Sequence, residues 1–413
     1  MRTTTIEFFN VQPVVQALET LFNHIAPTTQ TETIPVMQSR GRIVAVPPES
    51  PVNLPEFVRS TMDGYAVRAE DTFGASQSLP AYLEIAAPVK MGEQPIHTLQ
   101  TGQASSIHTG GMLPDGANAV VMIERTQKVD DSEIEVLAPV APSENMVQVG
   151  EDVAQGGEIL PAGQRIRPQD IGGMLAVGVL EVEVIRQPVV AIMGSGDEIV
   201  HPGETPAYGQ IRDINSYTLA ALFEEAGAQV NILGTAADTY DDIARMVREG
   251  LADADMLVIS AGSSVSTRDF TNEAIQAAGN PGVLQHGLAV KPGKPAILAS
   301  CDGKPVIGLP GNPVSAMLVA RQIVIPTLQH LTGENVRRSG TIQAILGSNI
   351  ASTTGREDTI PVRLIERDGE TVADPIFGKS NLIFTLINAD GLVHVPLNSN
   401  GLKAGEVVNV APF

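Results

Sequence analysis

Four short segments of the chain carry residue types suited to holding an oxyanion. GSGDEIV (194–200) places Asp197 and Glu198 after the apolar run PVVAIM, and AGSSVSTRDF (261–270) follows DMLVIS and ends in Arg268, Asp269 and Phe270. KPGKP (291–295) follows HGLAV and supplies Lys291 and Lys294, while PGNPVSA (310–316) follows PVIGL. In the last segment Gly311 permits a sharp turn, Asn312 suits an N-cap and Pro313 suits the first helical position. A helix start offers N–H groups and a partial positive charge to an anion. Lysines and backbone N–H groups bind phosphate or another oxyanion, and acids beside a phosphate commonly carry Mg²⁺. Each segment alone is compatible with an ordinary solvated turn. If the apolar runs before them are parallel strands, all four leave at the carboxyl edge and together argue for a site.

A second group lies earlier in the chain. STMDGYAV (60–67) puts Asp63 in a turn before an apolar strand, and HTGGMLPDGANAVVMIE (108–124) puts Thr109 before two glycines. Asp63 is equally suited to an Asx-turn. Two nucleotide fingerprints fail. GSGDEI has Ile199 where a third glycine would stand, and FGKS (377–380) has Ala373 where a P-loop needs its first glycine.

The elements that must position these residues follow from patterning. Residues 11–25 have amphipathic helical spacing, and the proline-rich stretch 46–56 reads as a crossing between domains. Residues 60–150 hold β-type runs separated by turns. Residues 151–185 carry Gly-rich turns and one helix and are placed to rejoin residues 1–50 as an interrupted domain. From 188 to 330, apolar strands alternate with helical patterns, which predicts a mostly parallel sheet covered on both faces. Ligands of such sheets bind past the carboxyl ends of the strands. Residues 336–413 return to short strands. The expected fold class is multidomain α/β plus β, divided as 7–50 with 151–185, 51–150, 186–335 and 336–413.

Composition narrows the function. With 413 residues and 43% apolar content, two to four real cores are expected. The net charge of −21 argues against a nucleic-acid or anionic-membrane surface. One cysteine, Cys301, excludes a disulfide framework, and scattered histidines without HExxH argue against a dedicated zinc site. The N-terminus lacks a signal-peptide core, and no long uncharged apolar stretch occurs, so a cytoplasmic location is expected.

In order, STMDGYAV, TGGMLPDGANAVVMIE, VGEDVAQGG, GSGDEIV, GQIRDINSYTLAALFEEAG, the SAGSSVSTRD loop, LAVKPGKP and GLPGNPVSA resemble the molybdopterin molybdenumtransferase family, which includes the gephyrin E domain. The resemblance runs from about residue 7 to the C-terminus. It implies an elongated homodimer, with 7–50 and 151–185 as the linker and dimerisation domain. It places the active site between one subunit's α/β domain and its partner's β domains. It further implies reaction of adenylylated molybdopterin with molybdate, Mg²⁺ assistance, loss of AMP and a molybdopterin adenylyltransferase as upstream donor.

By similarity, Lys291, Lys294 and Ser315 contact the oxyanion, with Pro310, Asn312 and Pro313 shaping the pocket and Arg356 reaching toward it. Gly262 and Ser263 cradle the nucleotide. Asp197, Glu198 and Asp269 are the acid or Mg²⁺ positions, and Asp63, Thr109 and Asp152 match functional positions in the other domains. The chain departs from the family pattern where Ala261 replaces a glycine in the 260–269 loop and where GKSNL (378–382) puts Lys379 beside Ser380. A non-catalytic molybdopterin-binding scaffold and an adenylylating enzyme are the alternatives. Loss of Lys291, Lys294 or Asp63 would favour the scaffold, and none is lost. Single-domain adenylylating relatives lack the flanking β domains expected here.

Overall fold

The computed structural model describes residues 11–261, 265–335 and 340–413, apart from the side chains of 265–269. The stretch 188–310 builds a six-stranded sheet from β1 (Val189–Ser195), β2 (Gln229–Ala236), β3 (Met256–Ala261), β4 (Pro281–His286), β5 (Ile297–Cys301) and β6 (Lys304–Pro310). The order across it is β2-β1-β3-β6-β5-β4. The first four neighbours are parallel, whereas β5 runs antiparallel to both β6 and β4. The sheet is thus mostly parallel, with β5 alone reversed. The reversal keeps KPGKP, between β4 and β5, on the same edge as the end of β6.

The helices in chain order are α1 (Val14–Phe22), α2 (Pro168–Ala176), α3 (Asn215–Glu225), α4 (Tyr240–Asp253), α5 (Val265–Ala278), α6 (Pro313–Val319), α7 (Ile325–Leu331) and the single turn α8 (Phe384–Ile387). One sheet face packs on α1, α3, α6 and α7 through a core that includes Ile192, Phe223, Val258, Leu309 and Val319. The other packs on α4 and α5 through Met193, Ile243, Ile259 and Ile275. Covering on both faces explains why the strands are continuous apolar runs.

Three local expectations need correction. α1 is shorter than the amphipathic stretch 11–25. The stretch after Asn312 is not uniform, because a π-helical segment, Ala320–Val324, separates α6 from α7. Pro326 explains this: it has no N–H for the carbonyl four residues back, and its ring crowds that carbonyl. HGLAV is not one strand. β4 ends at His286, and Val290–Lys291 pairs in parallel with Glu357–Asp358 of the C-terminal sheet. Between them Ala289 N–H donates to the Gln12 carbonyl and Leu288 N–H to the Lys294 carbonyl, which bends the chain away from β5.

The C-terminal strands are β7 (Ile342–Leu346), β8 (Glu357–Arg367), β9 (Glu370–Pro375), β10 (Gly391–Val395) and β11 (Val407–Pro412). They neighbour in the order β8-β9-β7-β11-β10, and β10 pairs back onto β8. The barrel closes and its edges disappear. Leu346, Val362, Ala373, Val393 and Val410 fill it.

Near the N-terminus, Thr31–Pro35 pairs with Glu181–Ile185 over a shared core of Val36, Val44, Leu160, Met174 and Val184. The intervening chain holds a separate six-stranded sheet that includes Gly64–Val67, Gln103–Ile107 and Ala119–Met122. Arg165 ties the N-terminal region to the α/β unit. It donates to both Glu334 carboxylate oxygens and to the carbonyls of Gly41 and Ala226. Among the described residues no helix is long and apolar enough to cross a membrane.

Candidate oxyanion cleft

The carboxyl end of β6, the KPGKP loop and the barrel enclose a cleft of about 650 Å³. Lys291, Lys294, Pro310, Asn312, Ser315 and Arg356 all line it, together with Lys379 and Ser380. No aspartate or glutamate is among the described residues that line it. Four cations lining one cleft, in a chain of net charge −21, make it a candidate anion site.

Each cation is held by a specific local feature. Gly293 has φ +112°, and a Cβ there would sit 2.1 Å from the Val319 side chain. Only glycine allows the loop that carries Lys291 and Lys294 to press this closely against α6. Lys291 is further fixed because its strand pairs with β8, where it faces Asp358 in register. Arg356 donates through Nε (2.7 Å) and a terminal nitrogen (3.1 Å) to the two carboxylate oxygens of Asp358, which is fully buried. This fork sets the guanidinium plane at the wall of the cleft.

The turn before α6 is tied on both sides. Asn215, at the start of α3, donates to Ser260 Oγ and to the Gly311 carbonyl, both at 2.8 Å. Pro313 occupies the first helical position as expected. Asn312 stands at the cap position but its side chain does not cap the helix. Its amide donates instead to Ser380 Oγ (2.9 Å). The Val314 N–H donates to the Ser380 carbonyl (3.1 Å), and Pro313 has no N–H. The helix start therefore offers fewer free amides than the sequence suggests, and the charged side chains carry more of the anion attraction. Ser315 is buried at the cleft wall.

Of the acids expected near the site, Asp197 and Glu198 are not among the residues that line this cleft. Asp197 and Glu198 are exposed on the turn after β1, and Asp197 Oδ1 accepts the Asp238 N–H (3.1 Å). Gly262 and Ser263, and the Asp269 side chain, lie outside the described residues. Among the described residues no group of three or more His, Cys, Asp or Glu could hold a metal ion. Asp63 and Thr109 do meet. The Thr109 N–H (2.7 Å) and hydroxyl (3.1 Å) both donate to Asp63 Oδ1, with the His108 ring 3.6 Å away. These bonds from Thr109 hold the Asp63 carboxyl below its ordinary range, with a smaller push from His108. Asp152 is exposed, its N–H on the Leu54 carbonyl. Within one chain none of these three lines the cleft.

Sequence reasoning missed Asp358 and Asn215. The signal for Asp358 was an acid two residues after Arg356, at the start of a strand. Asn215 had no signal beyond its place at a helix start.

Residues 12–178 match the family model described as the MoeA N-terminal region (domain I and II). Residues 191–330 match a probable molybdopterin binding domain, and 343–413 match the MoeA C-terminal region (domain IV). The chain is 32% identical to molybdopterin molybdenumtransferase 2 of Mycobacterium tuberculosis, covering 92% of this chain and 94% of that protein. It is 30% identical to molybdopterin molybdenumtransferase of Haemophilus influenzae, over 96% and 98% of the two chains. A crystal structure of the molybdopterin biosynthesis MoeA protein of Pyrococcus horikoshii superimposes with a TM-score of 0.85 at 30% identity, covering 98% of this chain and 100% of that one.

Proposed function

The chain belongs to the molybdopterin molybdenumtransferase family, and from that premise we propose that it inserts molybdate into adenylylated molybdopterin with release of AMP. The observation that carries this reading is the cleft lined by Lys291, Lys294, Arg356 and Ser315, with no aspartate or glutamate among the described residues that line it. Molybdate is a tetrahedral dianion. Two lysines and a guanidinium fixed by Asp358 supply the charge to neutralise it, and the Ser315 hydroxyl adds a donor. Catalysis of this kind is positioning and charge neutralisation, with no covalent nucleophile.

Asp197 and Glu198, with Asp269 by similarity, are proposed for Mg²⁺. Two hard carboxylates on one turn suit an ion that keeps most of its waters and takes its remaining ligands from substrate phosphates. The ion's contribution is charge neutralisation on the leaving phosphate. Asp63, Thr109 and Asp152 are proposed to act from the partner subunit of a homodimer, and a molybdopterin adenylyltransferase is proposed to supply the substrate.

The test is AMP release from adenylylated molybdopterin in anaerobic buffer with Mg²⁺, with and without molybdate. Molybdate-dependent release is expected. Tight binding without release would replace the enzyme reading with that of a carrier. Lys294→Ala is expected to abolish most molybdate-dependent release while leaving the melting temperature nearly unchanged, because exposed lysines contribute little stability.

A further inference from the structure

The segment Ile376–Ser380 carries the FGKS sequence, and the oxyanion reading leaves two of its residues unused. Its anchors alternate along the chain. The Ile376 N–H donates to the Pro361 carbonyl (2.8 Å). Gly378 lies so close to Thr385 that an added Cβ would stand 2.6 Å from its hydroxyl oxygen. Ser380 takes the Asn312 amide on its hydroxyl and the Val314 N–H on its carbonyl. The residues between these anchors, Phe377 and Lys379, line the cleft instead of packing into the barrel.

Phe377 is 64% exposed and is the one aromatic among the described residues that line the cleft. An aromatic face held wet at a cleft rim by a pinned backbone is suited to stacking. Lys379 is exposed two residues away, and among the described residues no carboxylate lines the cleft to pair with it. Lys291, Lys294 and Arg356 already surround the space proposed for a tetrahedral dianion, so a fourth cation at the rim has a second negative group to meet.

We infer that Phe377 and Lys379 form a rim subsite for a planar heteroaromatic ring carrying a phosphate, with the ring on Phe377 and the phosphate charge on Lys379. The inference rests on the proposed function, whose substrate carries two such rings, a pterin and an adenine, each linked to phosphate. Stacking on an aromatic side chain tolerates either ring, so the chemistry is shared and experiment assigns the half.

The test measures binding of four probes to the full chain by calorimetry or fluorescence: AMP, adenosine, 6-hydroxymethylpterin monophosphate and molybdate. The proteins are wild type, Phe377→Leu, Lys379→Gln, Lys379→Arg and, as the molybdate control, Lys294→Ala. Phe377→Leu is expected to weaken one phosphorylated ring probe by about fivefold or more, the low end of stacking energies, and to leave molybdate binding unchanged. Lys379→Gln should weaken the same phosphorylated probe and flatten its salt dependence, and Lys379→Arg should restore both. If AMP is the probe that responds, adenosine should be insensitive to Lys379→Gln. A response to AMP assigns the rim to the adenylyl half, and a response to the pterin assigns it to the other half.

The inference is overturned if neither ring probe binds wild type, if both bind all variants equally, or if Phe377→Leu weakens molybdate as much as the ring. These outcomes leave the proposed function standing so long as molybdate binds wild type and is lost in Lys294→Ala. Failure of molybdate to bind wild type counts against the proposed function instead.

Discussion

Arg356 owes its place to Asp358. The carboxylate is 1% exposed and the guanidinium 33%, so the pair sits where the barrel wall meets the cleft. Removing the carboxylate leaves a partly exposed guanidinium without its partner and an amide where two charge-assisted hydrogen bonds were accepted. Asp358→Asn is expected to cost about 1–2 kcal/mol, discounted for the exposure of Arg356, read by urea unfolding, and to raise the Kd for molybdate because the fork that aims Arg356 is gone. An unchanged molybdate Kd would show that Arg356 needs no aiming. Lys291 and Lys294 were legible in the sequence because KPGKP is one of four polar loops expected to leave a parallel sheet at the same edge. Asp358 was not, because the acidic pair Glu357–Asp358 at the start of a strand reads as surface until the barrel closes around the second of them.

At the scale of elements, the start of α2 shows how local sequence fixes position. Asp170 accepts the Arg167 N–H (2.8 Å) and both ends of the Arg167 guanidinium fork (2.9 and 2.8 Å). The hydrogen bonds from Arg167 hold the Asp170 carboxyl below its ordinary value of 3.8. A carboxyl lowered by folding contributes fully above that ordinary value, and the contribution is lost as pH falls through the lowered one. Asp170→Asn is therefore expected to destabilise at neutral pH by about 1–2 kcal/mol and to narrow its gap to wild type below pH 4, read by unfolding at stepped pH. A gap constant with pH would contradict the charge argument. Gly293→Ala tests the lysine loop. With its Cβ driven into Val319 and a strained φ, about 2 kcal/mol or more of stability should be lost together with molybdate affinity. Loss of neither would show that the loop yields freely. The alternating strands and helices of 188–310 were readable from period alone. The diversion of Val290–Lys291 onto β8 was not, since HGLAV reads as one strand and its pairing partner lies more than sixty residues away.

At the scale of the whole molecule, the two groups of candidate residues remain apart. Asp63 and Thr109 are joined to each other but not to the cleft. The sequence put both groups in one site only through resemblance, because no local pattern encodes which chain a distant loop meets. The proposed homodimer predicts complementation. Asp63→Ala and Lys294→Ala proteins, each nearly inactive, should recover about a quarter of wild-type turnover after random subunit exchange, since a hybrid holds one intact site. No recovery with exchange shown by a tagged subunit would place Asp63 outside the reaction.

The pairing of Val290–Lys291 with Glu357–Asp358 has a consequence for synthesis. A chain emerging from the ribosome can complete the β1–β6 sheet while its last strands are still in the tunnel. At that stage Lys291 lacks its neighbouring strand, and Arg356, Lys379 and Ser380 have yet to fold around it. The proposed anion cleft is therefore complete only near the end of translation, and a chain truncated before the barrel, lacking Arg356, Lys379 and Ser380, is expected to bind molybdate weakly or not at all, read by equilibrium dialysis.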